Sequence, residues 1–326
     1  MVQPDPSTNM EQSQGLEMKQ QVVGPPRLPG TVGIVGLGLI GGSLGLDLQA
    51  LGCRVKGLVH RPVTVDRALQ RGLAQEVSLE PAILQGCDLV ILALPIESLL
   101  APDPMLVAAL PPDAVVTDVA SVKTPVLQAW RGRHRRFVAS HPMAGTAQSG
   151  VEAGLSGLFR DRPWIATPEA ATDAAALELV EALARALGSH WLTAAPACHD
   201  QAVALISHVP VLVSAALLRA AGSERDPSVR ELACQLASSG FADTTRVGAG
   251  NPVLGTAMAA RNTDAVLRGL AAYRWSLEQL EGAILAGNWA QLERELEQTR
   301  ALRPSFLKAP APDIKASVPA DDPAEP

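Results

Sequence analysis

Cysteine and basic charge are both scarce in this sequence of 326 residues, and each scarcity excludes a class of protein. Lysine and arginine number 27 against 33 acidic residues, and the net charge of −6 provides no basic surface for nucleic acid. The cysteines are scattered, without the close pairing of a zinc site or a disulfide framework. We therefore predict no metal site, and buried thiols in a reducing compartment at Cys53, Cys87, Cys198 and Cys234.

Long apolar runs are also missing. The most apolar stretch, residues 202–221, is interrupted by His208 and Pro210, so we expect no membrane span. Residues 1–29 are rich in proline and polar side chains and lack the apolar centre of a signal peptide. We expect a disordered arm there, a disordered tail over residues 309–326, and a cytoplasmic location.

The clearest positive signal is a glycine-rich turn between an apolar strand and a helix. The sequence from Thr31 to Asp47 reads TVGIVGLGLIGGSLGLD, which has the spacing of a dinucleotide fingerprint. In that motif glycines permit a tight turn, a close approach of the backbone to a pyrophosphate, and close packing of helix on strand. Unpaired N–H groups at the helix start attract phosphate. We predict a cofactor site at Gly36, Leu37, Gly38, Leu39, Ile40 and Gly41.

The residues after the second predicted strand distinguish between two nicotinamide cofactors. Sites selective for NAD usually carry Asp or Glu about 20 residues after the glycines, where it binds the ribose 2′-hydroxyl. Residues 60–64 contain no carboxylate, whereas Arg61 can pair with a 2′-phosphate. We predict NADP, bound by Arg61 with hydrogen bonds from His60 and Thr64; a merely solvated Arg61 is the alternative.

Predicted strands and helices alternate from residue 30 to residue 195. This order is typical of an α/β dinucleotide-binding domain with a doubly wound, mostly parallel sheet of the Rossmann type. Ligands of such sheets bind beyond the carboxyl ends of the strands. We expect Leu94 and Pro95 to contact the cofactor there, and Ser121 and His141 to face the substrate.

From residue 196 to residue 308 the pattern becomes helical and indicates a separate substrate and dimerisation domain. Helical periodicity covers residues 197–221, 228–238, 255–281 and 289–302. The first of these helices is apolar on nearly every side, and so short a domain does not supply enough cover for it. We therefore predict a homodimer through this domain. Pro210 lacks a backbone donor, and we expect it to bend or break the helix near His208.

Two clusters carry side chains that could perform chemistry. His141 follows a predicted strand over Phe137–Ser140 and is the candidate acid–base group, because imidazole titrates near neutral pH. Ser121 is its candidate hydrogen-bond partner. Residues 237–252 read as a loop shaped around a ligand, in which Arg246 is a candidate carboxylate anchor. These residues alone predict an NADP-linked dehydrogenase that acts on a small hydroxylated acid.

Several motifs resemble the prephenate/arogenate dehydrogenase family of tyrosine biosynthesis. They are GIVGLGLIGGSLGLDL, DVASVK, HPMAG and SSGFADTTR, and the resemblance extends from Thr31 to about Leu302. Within that family, the sequence is most similar to the cyanobacterial-type arogenate dehydrogenases. HPMAG together with DVASVK and DTTR is a far more specific combination than the glycine turn.

The resemblance implies roles for individual residues. His141 would be the catalytic histidine and Ser121 its partner, while Arg246 would bind the ring carboxylate and His208 would lie beside the substrate. Family members that prefer prephenate tend to carry a second histidine where this chain has Val211, which favours L-arogenate. We assign substrate binding to Arg246, His208 and Gly250.

The implied reaction is the oxidative decarboxylation of L-arogenate to L-tyrosine and CO2. A prephenate dehydrogenase that forms 4-hydroxyphenylpyruvate is the first alternative. More distant ones are another two-domain hydroxyacid dehydrogenase and a non-catalytic regulator that binds NADP. We expect no fused chorismate mutase and no C-terminal regulatory domain of the ACT type.

Overall fold

A computed structural model of the chain describes residues 28–146 and 148–307. These residues divide into two compact units, the first ending at Asp200 and the second beginning at Gln201. The tail expected over residues 309–326, and the expected arm as far as residue 27, lie outside the described residues. The predicted domain limits, 30–195 and 196–308, stay predictions.

The first unit contains a six-stranded sheet in the order β3-β2-β1-β4-β5-β6, with every neighbouring pair parallel. Its strands are β1 (Thr31–Val35), β2 (Arg54–Leu58), β3 (Glu76–Ser78), β4 (Leu89–Leu92), β5 (Val115–Asp118) and β6 (Phe137–Val138). The helices of this unit are α1 (Leu39–Ala50), α2 (Pro62–Gln70), α3 (Ile96–Leu100), α4 (Pro104–Ala109), α5 (Thr124–Trp130) and α6 (Ala174–Ala186). The predicted α/β class with a Rossmann-type parallel sheet is confirmed.

Strand β4 explains why its sequence is apolar without alternation. Side chains point alternately to the two faces of a sheet. Leu89 and Ile91 lie in the core on one face of the sheet, and Val90 and Leu92 in the core on the other. Both faces are therefore covered, as a parallel sheet with helices on both sides requires.

A second, three-stranded sheet was not predicted as a separate element. It contains β7 (Ser140–Pro142), β8 (Pro163–Ala166) and β9 (His190–Thr193), with β7 antiparallel and β9 parallel to β8. The predicted strand over Phe137–Ser140 is wrong in this respect, because the chain leaves the first sheet after Val138 and pairs with β8 from Ser140. His141 is thus the central residue of β7.

The second unit is helical, as predicted. Helix α7 (Pro196–Val203) begins before the boundary between the units; the others are α8 (Val209–Gly222), α9 (Pro227–Leu236), α10 (Ser239–Thr245), α11 (Pro252–Arg261), α12 (Thr263–Leu285) and α13 (Trp289–Phe306). The single helix predicted over residues 255–281 is wrong, because Asn262 has φ −138° and separates α11 from α12.

A π-helical turn, Ala204–His208, joins α7 to α8 just before Pro210. Proline has no N–H for the carbonyl four residues earlier, so an ordinary α-helical ladder cannot continue there. The N–H of Val209 donates to the carbonyl of Ala204 instead. The irregularity expected near His208 is therefore a widened turn within continuous helix.

The combined helix Pro196–Gly222 is long and apolar enough, by length and composition, to cross a membrane. Among the described residues it is the one helix with this property, and the sequence reading had expected none. Among the described residues of the second unit, the cluster of buried apolar side chains is small and consists of Ala204, Ala265 and Val266. Large apolar side chains are exposed nearby, which indicates that this unit requires further cover.

The cysteines differ in burial. Cys53 and Cys87 are buried, and burial raises the pKa of both thiols. Cys198 and Cys234 are exposed in the single chain, so the prediction of four buried thiols is wrong for these two. Both lie in the helical stretch after residue 195, for which the sequence already predicts incomplete cover within a single chain.

Candidate functional site

The glycine turn between β1 and α1 has the geometry of a phosphate-binding loop. Gly36 has φ +94°, and a Cβ atom there would lie 2.4 Å from the carbonyl oxygen of Ala93. A Cβ atom on Gly41 would lie 1.9 Å from the carbonyl oxygen of Gly36. At Gly38, which caps α1, a Cβ would meet nothing within 4 Å. The first-turn N–H groups of Leu39 and Ile40 therefore border open space beside a helix N-terminus, as a dinucleotide phosphate requires.

The other predicted cofactor contacts follow the neighbouring strands. Val35 is in register with Leu58 of β2 and Leu92 of β4, so the three strands end at one level of the sheet. Arg61 caps α2 and is exposed, as are His60 and Pro95, while Thr64 and Leu94 are partly buried. The predicted set thus lies along one sheet edge.

A buried ion pair holds the region where β5 ends and β7 begins. The Lys123 ammonium group donates to the carboxylate of Asp118 and to the carbonyl oxygen of Ser140, at 2.6 Å in the latter case. Asp118 also accepts the backbone N–H groups of Ser140 (3.1 Å) and Ala120 (2.9 Å). Burial lowers the pKa of Lys123, and the attraction of Asp118 opposes that shift. This network fixes the residue just before His141.

His141 is 9% exposed, and its Nδ1 lies 3.0 Å from Nε2 of His199. Nδ1 of His199 lies 2.8 Å from Oδ1 of Asp200. Sequence analysis missed both of these residues. They occur as the pair HD at the start of the HDQAVALISH segment, which was interpreted as the beginning of a helix and as part of the family resemblance, without a role for either residue. The pairing of Ser121 with His141 stays a prediction.

Asp200 is held by backbone as well as by His199. Its two oxygens accept the N–H groups of Lys123 (2.7 Å) and Thr124 (2.9 Å) at the start of α5. Burial raises the pKa of Asp200, but hydrogen bonds from His199, Thr124 and Lys123 outweigh it and lower the pKa to about 2. The carboxylate is therefore ionised at neutral pH and acts only as an acceptor.

The predicted substrate residues of the second unit lie on its helices. His208 is 2% exposed at the end of the π-helical turn, with Nδ1 3.3 Å from Nδ2 of Asn262. Arg246 is exposed and immediately follows α10, and Gly250 is also exposed. The N–H of Gly248 donates to Oγ of Ser214 at 2.8 Å, which ties this segment to α8.

The segment 237–252, predicted to be a loop, is largely helical. It contains α10 and a 3-10 turn at Val247–Ala249. The hydroxyl groups of Thr244 and Thr245 donate to the carbonyls of Gly240 and Phe241 within α10, at 2.7 and 2.6 Å. Both hydroxyl groups are thus satisfied within the helix itself. Over residues 28–146 and 148–307, no group of three His, Cys, Asp or Glu residues could hold a metal ion.

Two family models together match most of the chain. Residues 44–193 match the nucleotide-binding domain of prephenate dehydrogenase, and residues 195–298 match its dimerization domain. Among curated proteins, the Bacillus subtilis prephenate dehydrogenase is 30% identical over 247 residues, 73% of this chain. The chain spans 65% of the length of that relative. The Zymomonas mobilis cyclohexadienyl dehydrogenase is 29% identical over 83% of this chain and 94% of its own length.

Two solved structures are similar in both sequence and fold. The Synechocystis arogenate dehydrogenase is 42% identical, with a TM-score of 0.72, and the match covers 85% of this chain and all of that one. The prephenate dehydrogenase from A. aeolicus, in complex with hydroxyphenyl propionate and NAD+, is 28% identical with a TM-score of 0.79. That match covers 85% of this chain and 98% of the other.

Replacement of Lys123 by methionine tests the buried ion pair. The variant leaves the Asp118 carboxylate buried without its cation, and we expect the free energy of unfolding to fall by about 3–5 kcal/mol. Urea denaturation followed by circular dichroism measures this loss. The control is Lys56→Met, which removes a surface lysine bonded to a backbone carbonyl and changes stability by less than about 1 kcal/mol. Equal stability of the two variants would contradict the structural role given to the pair.

Proposed function

Because the chain belongs to the prephenate dehydrogenase family, we propose that it is an NADP-dependent arogenate dehydrogenase. It is an oxidoreductase of aromatic amino acid biosynthesis with a nucleotide-binding domain for a nicotinamide cofactor. The observation that carries the finer assignment is the 42% identity to an arogenate dehydrogenase, against 26–32% for relatives named prephenate dehydrogenase. Val211, in place of a second histidine, supports the same substrate.

The glycine turn and the residues after β2 would hold the cofactor. The open space at Gly38 and the N-terminus of α1 fit the pyrophosphate, and the exposed guanidinium of Arg61 suits a 2′-phosphate. When bound, the nicotinamide ring supplies the hydride acceptor. The absence of a carboxylate from residues 60–64 removes the group that would repel NADP.

His141 removes the proton from the ring hydroxyl of arogenate as the ring is oxidised. The oxidised ring then loses its carboxylate as CO2 and becomes aromatic, which gives L-tyrosine. Ser121 orients the hydroxyl or the imidazole, and Arg246 binds the ring carboxylate, with His208 and Gly250 beside the substrate. Arg246 must not stabilise the carboxylate so strongly in the ground state that its loss is suppressed.

A homodimer is the second part of the proposal. The region matched to a dimerization domain contains the apolar helix Pro196–Gly222 and exposes several large side chains: Leu205, Ile206, Trp275, Leu277 and Leu285. These side chains are exposed to water because the buried core of this unit is small, and a second copy of the chain would cover them. We place this dimer in the cytoplasm rather than in a membrane.

One assay separates the proposed reaction from its alternatives. Tyrosine formation and reduced-cofactor absorbance are measured with L-arogenate and with prephenate, each with NADP and with NAD. We expect the highest kcat/KM with L-arogenate and NADP. A preference for prephenate identifies a prephenate dehydrogenase. Cofactor binding without turnover of either substrate contradicts both reactions and agrees with a non-catalytic regulator or with another hydroxyacid dehydrogenase.

Two variants separate proton transfer from substrate binding. His141→Ala removes the base, and we expect kcat to fall by about 10²- to 10⁴-fold while cofactor affinity stays unchanged. Arg246→Ala removes the carboxylate ligand and should mainly raise KM for the substrate. Steady-state kinetics and fluorescence titration of the cofactor measure these effects. A nearly unchanged kcat in His141→Ala would show that another group is the base.

Arg61→Ala tests the choice of cofactor. Loss of a charged hydrogen bond to the 2′-phosphate costs about 1.5–3 kcal/mol, so KM for NADP should rise roughly 10- to 100-fold. KM for NAD, which lacks that phosphate, should stay within about 2-fold of the wild-type value. Arg54→Ala is the matched control, since Arg54 begins β2, the strand that precedes Arg61, but pairs with Glu76 on the surface. A similar effect on both cofactors would contradict the role of Arg61.

A further inference from the structure

Three side chains of the first unit form a hydrogen-bonded series that leads to the proposed base. Oδ1 of Asp200 lies 2.8 Å from Nδ1 of His199, and Nε2 of His199 lies 3.0 Å from Nδ1 of His141. All three are buried, with exposed fractions of 6%, 1% and 9% in that order. The mechanism described above uses only the last of them.

The ionisation of Asp200 sets the direction of each hydrogen bond in the series. An ionised carboxylate only accepts, so Nδ1 of His199 carries a hydrogen and donates it to Asp200. In neutral His199 the other nitrogen, Nε2, is then an acceptor. Nδ1 of His141 must donate to it, which leaves the lone pair of His141 on Nε2.

We propose that His199 and Asp200 are positioning residues that hold His141 in the tautomer protonated on Nδ1, so that its Nε2 accepts the hydroxyl proton of the substrate. This inference rests on the proposed function. The O–H bond of the substrate breaks, its proton forms a bond to Nε2, and the Nδ1 hydrogen stays on His141. The resulting imidazolium is stabilised through His199 by the charge of Asp200, and no proton passes to the carboxylate.

The arrangement is needed because a neutral imidazole has two tautomers, and the wrong one carries a hydrogen where the base must have a lone pair. The tautomer of a histidine is set by the hydrogen bond that its other nitrogen makes. Asp200 in turn is fixed by the backbone N–H groups of Lys123 and Thr124, so the orientation of His199 is built into the start of α5.

Nitrogen-15 NMR of the histidine side chains tests the tautomer directly and requires no substrate. The chain has six histidines, so the His141 signal can be assigned by its loss in His141→Ala. In the wild-type protein at neutral pH we expect Nδ1 of His141 to be protonated and Nε2 to be unprotonated. A proton on Nε2 of His141 in the wild-type spectrum overturns the proposal, whatever the enzyme's activity.

Substitutions of His199 test the consequence for catalysis. His199→Leu removes the acceptor, and we expect kcat to fall by about 10²- to 10³-fold with KM for the cofactor unchanged. His199→Gln can donate to Asp200 through its amide nitrogen and accept from His141 through its oxygen, so it should keep kcat within about 10-fold of wild type. His190→Leu, at an exposed histidine of β9, is the control with unchanged kcat.

The pattern across these variants separates positioning from a purely structural role. Equal losses of kcat in His199→Leu and His199→Gln, or none in either, overturn the proposal. If His199→Leu does not fold, the wild-type NMR spectrum and the kcat of His199→Gln still test the proposal. Failure of the proposed function is distinct, because it appears in the wild-type assay as turnover of neither substrate or as a preference for prephenate, while the NMR result stands.

Discussion

A pair of opposite charges that water does not reach, Asp118 and Lys123, constrains the part of the first unit that carries the proposed base. Burial of two charges is costly unless each is surrounded by hydrogen-bond partners. Here those partners are backbone groups of Ala120 and Ser140, so satisfying the pair also locks the end of β5 to the beginning of β7. The position of His141, one residue later, follows from that requirement.

Asp200 is a second buried carboxylate held by backbone hydrogen bonds, and it is connected to the imidazole of His141 through His199. Its carboxylate takes backbone donors from the start of α5 and a side-chain donor from His199, and these bonds keep it charged in spite of burial. Two buried carboxylates thus set the geometry around His141 through rigid backbone rather than through flexible side chains. Such support is what a proton-transfer step requires, because the acceptor atom must be held within hydrogen-bond reach of the substrate.

The features that the sequence predicted are those with local causes. The glycine turn could be predicted because the positive φ of Gly36 and the close approach of Gly41 to the carbonyl of Gly36 both arise within the motif. The transfer of the chain to a second sheet at Ser140 depends on Asp118, 22 residues earlier, and His199 meets His141 across 58 residues. Asn262, which interrupts a predicted helix, bonds His208 across 54 residues. Such distant pairings leave no periodic signal in one sequence.

The π-helical turn at Ala204–His208 has a geometric consequence for the apolar helix that contains it. One residue more in a turn rotates everything that follows by about 100° about the helix axis. The rows of side chains on α8 therefore do not continue the rows on α7, and the two parts of the continuous helix present their side chains in different directions. A segment that is apolar along its whole length in the sequence therefore has two apolar surfaces that face different directions, and each can pack against its own neighbour.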